Sequence, residues 1–212
     1  MFIPLVDLLR CRRPHEETWL VASIDQANDR DIVTGTLGCP ICLAEYPIRD
    51  GVVVFDDAAV AARYPAKGTR EDDAVRLAAG LDLTDARMTA LLHGAWGAYA
   101  PILRGLTPAQ LLLVNPPLGI ASGDGVSIIR ANGAVPVARG TIAGVAADDD
   151  AADPLLASVV STLRPGGRML GRIGLPIPPG IAELARDEEV WVALREASAA
   201  ESAPVTLSRR TR

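Results

Sequence analysis

Three cysteines and a histidine near the start of the sequence have the types and the spacing that a bound metal ion needs. Cys39 and Cys42 are separated by two residues, and Cys11 and His15 stand upstream, separated by three. A tight C-x2-C turn lets both thiolates converge on one ion while backbone N–H groups face the sulfurs. The pattern predicts a zinc site with these four residues as ligands. The alternative is that the three thiols are buried small apolar residues and His15 is a solvated loop residue.

The segments between these ligands predict a small β domain. Apolar runs at Thr18–Ser23, Ile32–Leu37 and Val52–Phe55 each predict a strand, and the polar stretch Asp25–Asp31 predicts the loop between the first two. An odd number of cysteines, all within the first 42 residues, is not a disulfide framework. A bound metal would instead supply the cross-link that so small a domain needs.

The segments LVDLLRC, GTLGCPIC and EYPIRDGVVVF resemble the zinc-ribbon family whose best-known member is the small activating subunit of eukaryotic tRNA, rRNA and release-factor methyltransferases. The resemblance covers residues 1–57, and Y-P-I-x-D-G is its most diagnostic part. Bacterial members of that family stand alone or are fused to methyltransferase domains. Pro14 stands where the second cysteine of the first knuckle would be. The resemblance therefore implies either that His15 replaces that ligand or that zinc has been lost.

A second resemblance lies between Leu155 and Ile173. Apolar residues spaced from Leu155 to Leu163 predict an amphipathic helix, the Pro-Gly-Gly of residues 165–167 predicts its end, and Met169–Ile173 predicts a buried strand. This unit resembles the late crossover of class I S-adenosylmethionine-dependent methyltransferases, in which an L-x-P-G-G turn leads into the fifth strand. The resemblance implies an α/β fold with a reduced, Rossmann-like methyltransferase sheet.

In an active enzyme of that class, the first strand of the sheet leads into an acid and a glycine-rich turn that holds the cofactor. The apolar runs Leu111–Val114 and Val126–Ile129 are predicted as the first and second strands. The turn that follows the first run has an amide in place of the acid and two prolines that stiffen it. If the protein is active, the resemblance implies cofactor contacts at four residues of this segment: Asn115, Gly119, Gly123 and Gly125.

Three other groups could do chemistry, and each has a simpler interpretation. Asn115-Pro-Pro-Leu118 resembles the N-P-P-Y/F motif of amide- and adenine-directed methyltransferases, but a leucine stands where the stacking aromatic belongs. His93 could be a general base, yet the sequence offers it no partner, which favours a histidine at the edge of the core or exposed. The aspartates 148–150 and 153 could bind a cation, but an acidic turn before a helix explains them. We assign no catalytic residue.

The remaining elements are predicted from periodicity and from turn residues. Apolar residues from Met88 to Ile102 recur at spacings of three and four, which predicts an amphipathic helix in which Gly94 and Gly97 permit close packing. The connections between the later strands are too short for crossover helices, which favours antiparallel pairing or a trimmed sheet. The other predictions are a helix at Arg70–Ala79, strands at Val135–Val137 and Ile142–Val145, a short helix at Ile181–Ala185, and strands at Glu189–Leu194 and Val205–Leu207.

Composition narrows the class of protein. With 212 residues, 49% hydrophobic and 22% charged, the chain has ample material for a globular core. A net charge of −5 argues against a nucleic-acid-binding surface, and no apolar run is long enough to span a membrane. The first residues carry their charges after the apolar run, the reverse of a signal peptide. These features predict a cytoplasmic protein.

Together the patterns predict two domains: a zinc-ribbon-like module at 1–57, a linker at 58–69, and a methyltransferase-like α/β domain at 70–212 whose tail, 197–212, is partly disordered. The altered cofactor turn predicts a pseudoenzyme, a non-catalytic methyltransferase-like protein that binds or assembles with a protein partner through its ribbon. One alternative is an active S-adenosylmethionine-dependent methyltransferase with a divergent cofactor loop. The other is a structural subunit of a larger complex, which a large exposed apolar patch would favour.

Overall fold

A single sheet of eleven strands runs through the computed structural model, which describes residues 1–56, 68–148 and 155–196. The strands are β1 Val21–Asn28, β2 Asp31–Gly38, β3 Glu45–Arg49, β4 Val52–Val54, β5 Thr89–His93, β6 Gln110–Val114, β7 Val126–Arg130, β8 Ile142–Ala147, β9 Leu163–Arg172, β10 Ile181–Arg186 and β11 Val190–Arg195. The helices of the same ranges are α1 Glu71–Leu81, α2 Ala100–Leu106 and α3 Leu155–Thr162, with 3-10 helices at Ile3–Leu8 and Gly94–Tyr99.

The strand order defines the fold. From one edge to the other it is β1-β2-β3-β4-β7-β6-β5-β8-β9-β11-β10, and the strands from β4 to β9 in this order all pair in parallel. β11 pairs antiparallel with β9, and β10 antiparallel with β11. If β5 is counted as the first strand, the last seven strands follow the order 3-2-1-4-5-7-6 with the seventh antiparallel. This is a methyltransferase-like, doubly wound sheet, as the sequence predicts.

The topology corrects the predicted numbering of the strands. The first strand of the parallel sheet is β5, so the run Leu111–Val114 belongs to the second strand and Val126–Ile129 to the third. The predicted helix from Met88 to Ile102 is wrong, because Thr89–His93 is a strand and only residues 100–106 form an α-helix. All five residues of β5 are buried, since helices or loops cover both faces of a parallel strand. A strand of this kind shows no alternation, and its apolar run also fits a helix.

Other predictions have mixed outcomes. The helices at 70–79 and 155–163 are confirmed as α1 and α3, and the strand at 189–194 as β11. The segment Ile181–Ala185 is a strand, β10, because it pairs with β11 through a short turn. Val135–Val137 is buried but lies outside the strands of the sheet. The short connections did not force antiparallel pairing, and the segment Val205–Leu207 lies outside the described residues.

The N-terminal segment covers one face of the sheet where a crossover helix is missing. The connections from β6 to β7 and from β7 to β8 contain no helix. Leu5 and Leu9 instead enter the same core cluster as Val114 and Ile129. The backbone N–H of Ala138 donates to the carbonyl oxygen of Leu8 at 2.8 Å, which fixes the N-terminal segment against the loop before β8. α1 and α2 pack on the opposite face, in a second cluster with strands β5 and β6.

The N-terminal strands β1 to β4, which we call the ribbon, continue the methyltransferase-like sheet. β1 to β4 form an antiparallel meander, and its last hairpin turns at Asp50-Gly51, where both residues have positive φ angles (51° and 74°) as a type I′ turn requires. β4 then pairs in parallel with β7, Val52 lying opposite Ile128. The ribbon and the parallel sheet therefore share hydrogen bonds and a core. The chain between them, residues 57–67, lies outside the described residues, together with most of the predicted linker.

Candidate functional site

The four predicted metal ligands come together at one end of the ribbon. Cys11 and His15 lie before β1, and Cys39 and Cys42 lie in the turn between β2 and β3. The four ligand atoms lie within 4.8 Å of one another. The structure therefore brings all four predicted residues into one cluster, including His15 at the irregular C-x3-H knuckle.

The distances within this cluster suit tetrahedral zinc. The Sγ atoms of Cys11 and Cys42 are 3.6 Å apart, and His15 Nε2 lies 3.2 Å from Cys11 Sγ and 3.4 Å from Cys39 Sγ. Zn–S bonds of about 2.3 Å and Zn–N bonds of about 2.0 Å imply about 3.8 Å between two sulfurs and about 3.5 Å between sulfur and nitrogen. Four protein ligands close the coordination shell, which is typical of a structural site. The residues therefore fit a zinc ion.

Backbone donors surround the thiols as they do in a zinc knuckle. The N–H of Cys42 points at Cys39 Sγ and the N–H of Arg13 at Cys11 Sγ, each at 3.5 Å. Burial raises the pKa of the Cys39 thiol, but hydrogen bonds from the N–H groups of Cys42 and Ile41 outweigh it, and the net shift of this pKa is downward. Thiolates are the metal-binding form of cysteine, so these donors favour metal binding.

Tyr46 of the diagnostic Y-P-I-x-D-G segment supports the first knuckle. Its hydroxyl lies 3.4 Å from Cys11 Sγ and accepts the N–H of Arg12 at 3.4 Å. Burial and, after it, the hydrogen bond with Cys11 raise the pKa of Tyr46 to about 12, so the phenol keeps its proton. The pKa of Cys11 is raised by burial but lowered overall, chiefly by this hydrogen bond. Tyr46 thus positions a ligand and is not one itself.

A second candidate site lies at the carboxyl ends of β5 and β8. Here the direction of strand addition reverses, and in doubly wound sheets ligands bind in the crevice outside such a switch point. β5 leads from His93, which is 1% exposed, into the 3-10 helix Gly94–Tyr99. The turn equivalent to a cofactor loop is therefore this helix, and not the segment after Val114.

Side chains of the protein itself bridge this crevice. The indole N–H of Trp96 donates to the carbonyl oxygen of Ala147 at 2.8 Å, and Trp96 is only 3% exposed. The backbone N–H of Ala95 donates to Asp148 Oδ2 at 2.8 Å. Both contacts join the loop after β5 to the end of β8. The backbone N–H of Ala95 in this loop is thus bonded to the carboxylate of Asp148.

The loops that follow β5 and β6 are also in contact. A Cβ atom placed on Gly97 would lie 2.5 Å from Cβ of Pro116, closer than real Cβ atoms approach. In a dinucleotide-binding sheet, glycines of this loop let the ligand approach the backbone. Here the space above Gly97 is filled by Pro116. Among the described residues, Gly97 therefore has no open space in front of it, unlike the glycines of a dinucleotide-binding loop.

The four predicted cofactor residues lie on the connection between β6 and β7. Asn115 is 4% exposed, and its side chain donates to the carbonyl oxygen of Ala131 (2.8 Å) and accepts the N–H of the same residue (3.1 Å). This amide is therefore not available to hold a substrate nitrogen, and the N-P-P segment follows the second strand of the sheet, not the fourth. Gly119, Gly123 and Gly125 have positive φ angles and shape the loop that follows. Of the acidic group, Asp148 is described, and it bonds to Ala95.

Sequence reasoning missed the residues that occupy the switch point: Gly94, Ala95, Trp96 and Gly97. The signal was the apolar run Ala90–Leu92 followed closely by Gly94 and Gly97, which also fits a strand followed by a tight loop. Gly94 has a φ of 61°, a conformation that favours glycine and ends the strand. The interpretation of these glycines as helix-packing residues is therefore wrong.

Comparison with known proteins gives likenesses of fold. No family model matches the chain, and no curated protein matches it. Among solved structures, geranyl diphosphate C-methyltransferase from Streptomyces coelicolor is 16% identical with a TM-score of 0.39, the match covering 52% of this chain and 51% of that one. TrmN from Thermus thermophilus is 16% identical (TM-score 0.40; 64% and 53%). Putative methyltransferase yhhF from Escherichia coli is 15% identical (TM-score 0.40; 63% and 92%).

The match spans about half the length of the geranyl diphosphate methyltransferases. The methyltransferase-like order of the sheet follows from the pairing of this chain's own strands. Within the described residues, no helix is long and apolar enough to cross a membrane.

Replacing Gly97 with alanine tests the contact between the two loops. Because the added methyl group would collide with Pro116, we expect the free energy of unfolding to fall by about 1–3 kcal/mol. Gly105→Ala is the control: this glycine lies in α2 with open space around it, so alanine should stabilise by about 0.5–1 kcal/mol. Urea unfolding of both variants gives the comparison. A Gly97→Ala variant as stable as the wild type would mean that the loops are apart.

Proposed function

We propose that this protein is a non-catalytic, methyltransferase-like protein whose zinc-bearing ribbon binds a protein partner. The observation that carries the proposal is the occupied switch point: Trp96 bridges β5 and β8, and Pro116 covers Gly97. A pseudoenzyme keeps the sheet while its own side chains take the place of the cofactor. The end of β5 supports this hypothesis further, because β5 ends in His93, whereas the resemblance to active enzymes of the class implies an acid at the end of the first strand.

The ribbon supports the second half of the proposal. Its surface carries four exposed large apolar side chains around the metal cluster, which we call the ribbon patch: Trp19, Val21, Ile41 and Leu43, exposed by 63%, 55%, 55% and 79%. Exposed apolar residues that cluster, with an aromatic among them, are typical of protein-binding surfaces. The four-ligand zinc site would hold the turn that presents Ile41 and Leu43. Zinc would then serve the surface, and not a reaction.

Titration of zinc-loaded protein with S-adenosylmethionine tests the absence of cofactor binding. We expect no heat of binding at millimolar ligand, because the crevice is filled. Saturable binding in the micromolar range would overturn the pseudoenzyme and favour the alternative, an active methyltransferase with a divergent loop. S-adenosylhomocysteine serves as the matched ligand, since it lacks the positive charge but presents the same nucleoside.

The partner is tested on the same protein. A partner recovered with the wild type should be lost from a Trp19→Ala, Leu43→Ser double variant, because both side chains lie in the ribbon patch. Leu184→Ser is the control, as this leucine is 53% exposed on the far edge strand β10. Equal recovery with all three proteins would exclude the ribbon patch as the binding surface.

A further inference from the structure

A cavity of about 250 Å³ lies at the carboxyl end of β9, on the sheet face that carries α1. It is distinct from the metal cluster and from the contact between Gly97 and Pro116. Three elements and a turn enclose it: α1, the 3-10 helix after β5, the end of β9 and the turn between β10 and β11. The lining residues are Asp73, Arg76, Leu77, Trp96, Tyr99, Leu170, Arg172, Glu189 and Val190.

Arg172 supplies a cationic group to this cavity. Its Cζ lies 4.6 Å from the centre of the Trp96 ring, which is within the distance of a cation–π contact. Among the described residues, no carboxylate lies within ion-pair distance of it. The N–H groups along the edge of a guanidinium match the two oxygens of a carboxylate. Arg172 is therefore placed to hold a carboxylate from outside the chain.

The opposite side of the cavity is acidic. Arg76 Nη1 lies 2.8 Å from Glu189 and 3.8 Å from Asp73, and Arg76 also pairs with Asp187. Three carboxylates thus surround one guanidinium, with Arg70 at 4.0 Å from Asp73 as a distant second cation. This excess of negative charge favours a cationic group in a ligand.

Tyr99 shows that the two charged sides are close together. Its hydroxyl lies 3.4 Å from Asp73 Oδ2. Burial raises the pKa of Tyr99 and the neighbouring Asp73 raises it further, whereas Arg172 lowers it. The carboxylate of Asp73 and the guanidinium of Arg172 therefore both affect the hydroxyl group of Tyr99. The carboxylate of Asp73 and the guanidinium of Arg172 thus line one cavity, which matches a ligand that carries an ammonium group and a carboxylate on the same carbon atom.

We propose that this cavity binds a free α-amino acid with an apolar side chain. Arg172 would receive the carboxylate, Asp73 and Glu189 the ammonium group, and the apolar part of the lining the side chain. A volume of about 250 Å³ corresponds to about eight water molecules at about 30 Å³ each, which suits leucine or phenylalanine and is smaller than a nucleotide. The proposal goes beyond the proposed function, which depends on the crevice between β5 and β8 and on the ribbon patch.

Calorimetric titration of the full chain with L-phenylalanine tests the proposal. We expect saturable binding, and an affinity about tenfold or more lower for phenylacetate, which lacks the ammonium group, and for phenethylamine, which lacks the carboxylate. Arg172→Met should weaken binding of L-phenylalanine by about tenfold or more, because it keeps the length of the side chain and removes the charged fork. Arg172→Lys keeps the charge and should weaken binding less, which separates lost recognition from lost folding.

Arg186→Met is the matched control. This arginine pairs with Glu183 on β10, outside the lining of the cavity, and its replacement should leave binding unchanged. Three outcomes would overturn the proposal: no binding of L-phenylalanine or L-leucine at millimolar concentration, phenylacetate binding as tightly as phenylalanine, or equal losses in Arg186→Met and Arg172→Met. None of these outcomes depends on whether S-adenosylmethionine binds.

Discussion

Cys39→Ser is expected to release the zinc ion and to unfold the ribbon. Cys39 is the most buried ligand, only 2% exposed, and its sulfur lies 3.4 Å from His15 Nε2. Binding of structural zinc contributes about 10–16 kcal/mol to the folding of small zinc domains, so the loss of one ligand of four has a large effect. We expect zinc affinity to fall by about 100-fold or more and the free energy of unfolding by about 3 kcal/mol or more.

Metal analysis of protein purified without chelator, together with urea unfolding, measures both effects. The wild type should hold about one zinc per chain and lose stability when a chelator is added. Ile41→Ser is the control, because Ile41 lies in the same turn, is 55% exposed and offers no ligand atom. Wild-type protein that contains far less than one zinc per chain, and whose unfolding a chelator leaves unchanged, would show that the three thiols are buried apolar residues.

Trp96→Ala is expected to give a large loss of stability outside the ribbon. The indole is 3% exposed, packs against Tyr99 with ring centres 5.8 Å apart, and bonds to Ala147 across the switch point. Removing a buried tryptophan leaves a cavity and an unpaired carbonyl group, which together cost about 3–5 kcal/mol. Urea unfolding, followed by the change in far-ultraviolet circular dichroism, measures this loss.

Trp19→Ala is the matched control for that experiment. The two side chains are chemically identical, but Trp19 is 63% exposed, so its removal should change the free energy of unfolding by about 0.5 kcal/mol or less. A Trp96→Ala variant that unfolds like the wild type would show that the loop after β5 is only loosely packed. It would also remove the main argument that this loop is a structural element in place of a cofactor site.

The metal cluster was predictable because its signal is local and chemical. Two cysteines two residues apart, with a third and a histidine upstream, define ligand types and leave few ways to arrange them. The residue types Asp50-Gly51 are an equally local signal, because an Asp-Gly pair is typical of a two-residue hairpin turn. Zinc binding stays a prediction, which the metal analysis of the wild type tests.

The position of the candidate crevice was not predictable in the same way. It depended on whether β5 or β6 is the first strand, and the two runs, TALLH and QLLLV, are both short, apolar and buried on both faces. Such strands carry no period that distinguishes them from a helix or from one another. Only the order of pairing across the sheet assigns them, and that order is set by contacts far apart in sequence. Trp96 therefore could not be placed before the sheet was known.

The parallel pairing of β4 with β7 has a consequence for how the chain folds as it is synthesised. All four predicted zinc ligands lie within the first 42 residues, so the ribbon has what it needs to form early. The strand that pairs with β4, β7, comes much later in the chain. Ser127 of β7 also accepts, at its Oγ, the N–H of Phe2, which lies 125 residues earlier. Contacts of such high separation slow folding because a long loop must close before they form. We therefore expect the ribbon to persist with β4 unpaired until β7 leaves the ribosome, and docking of the two to be the slow step.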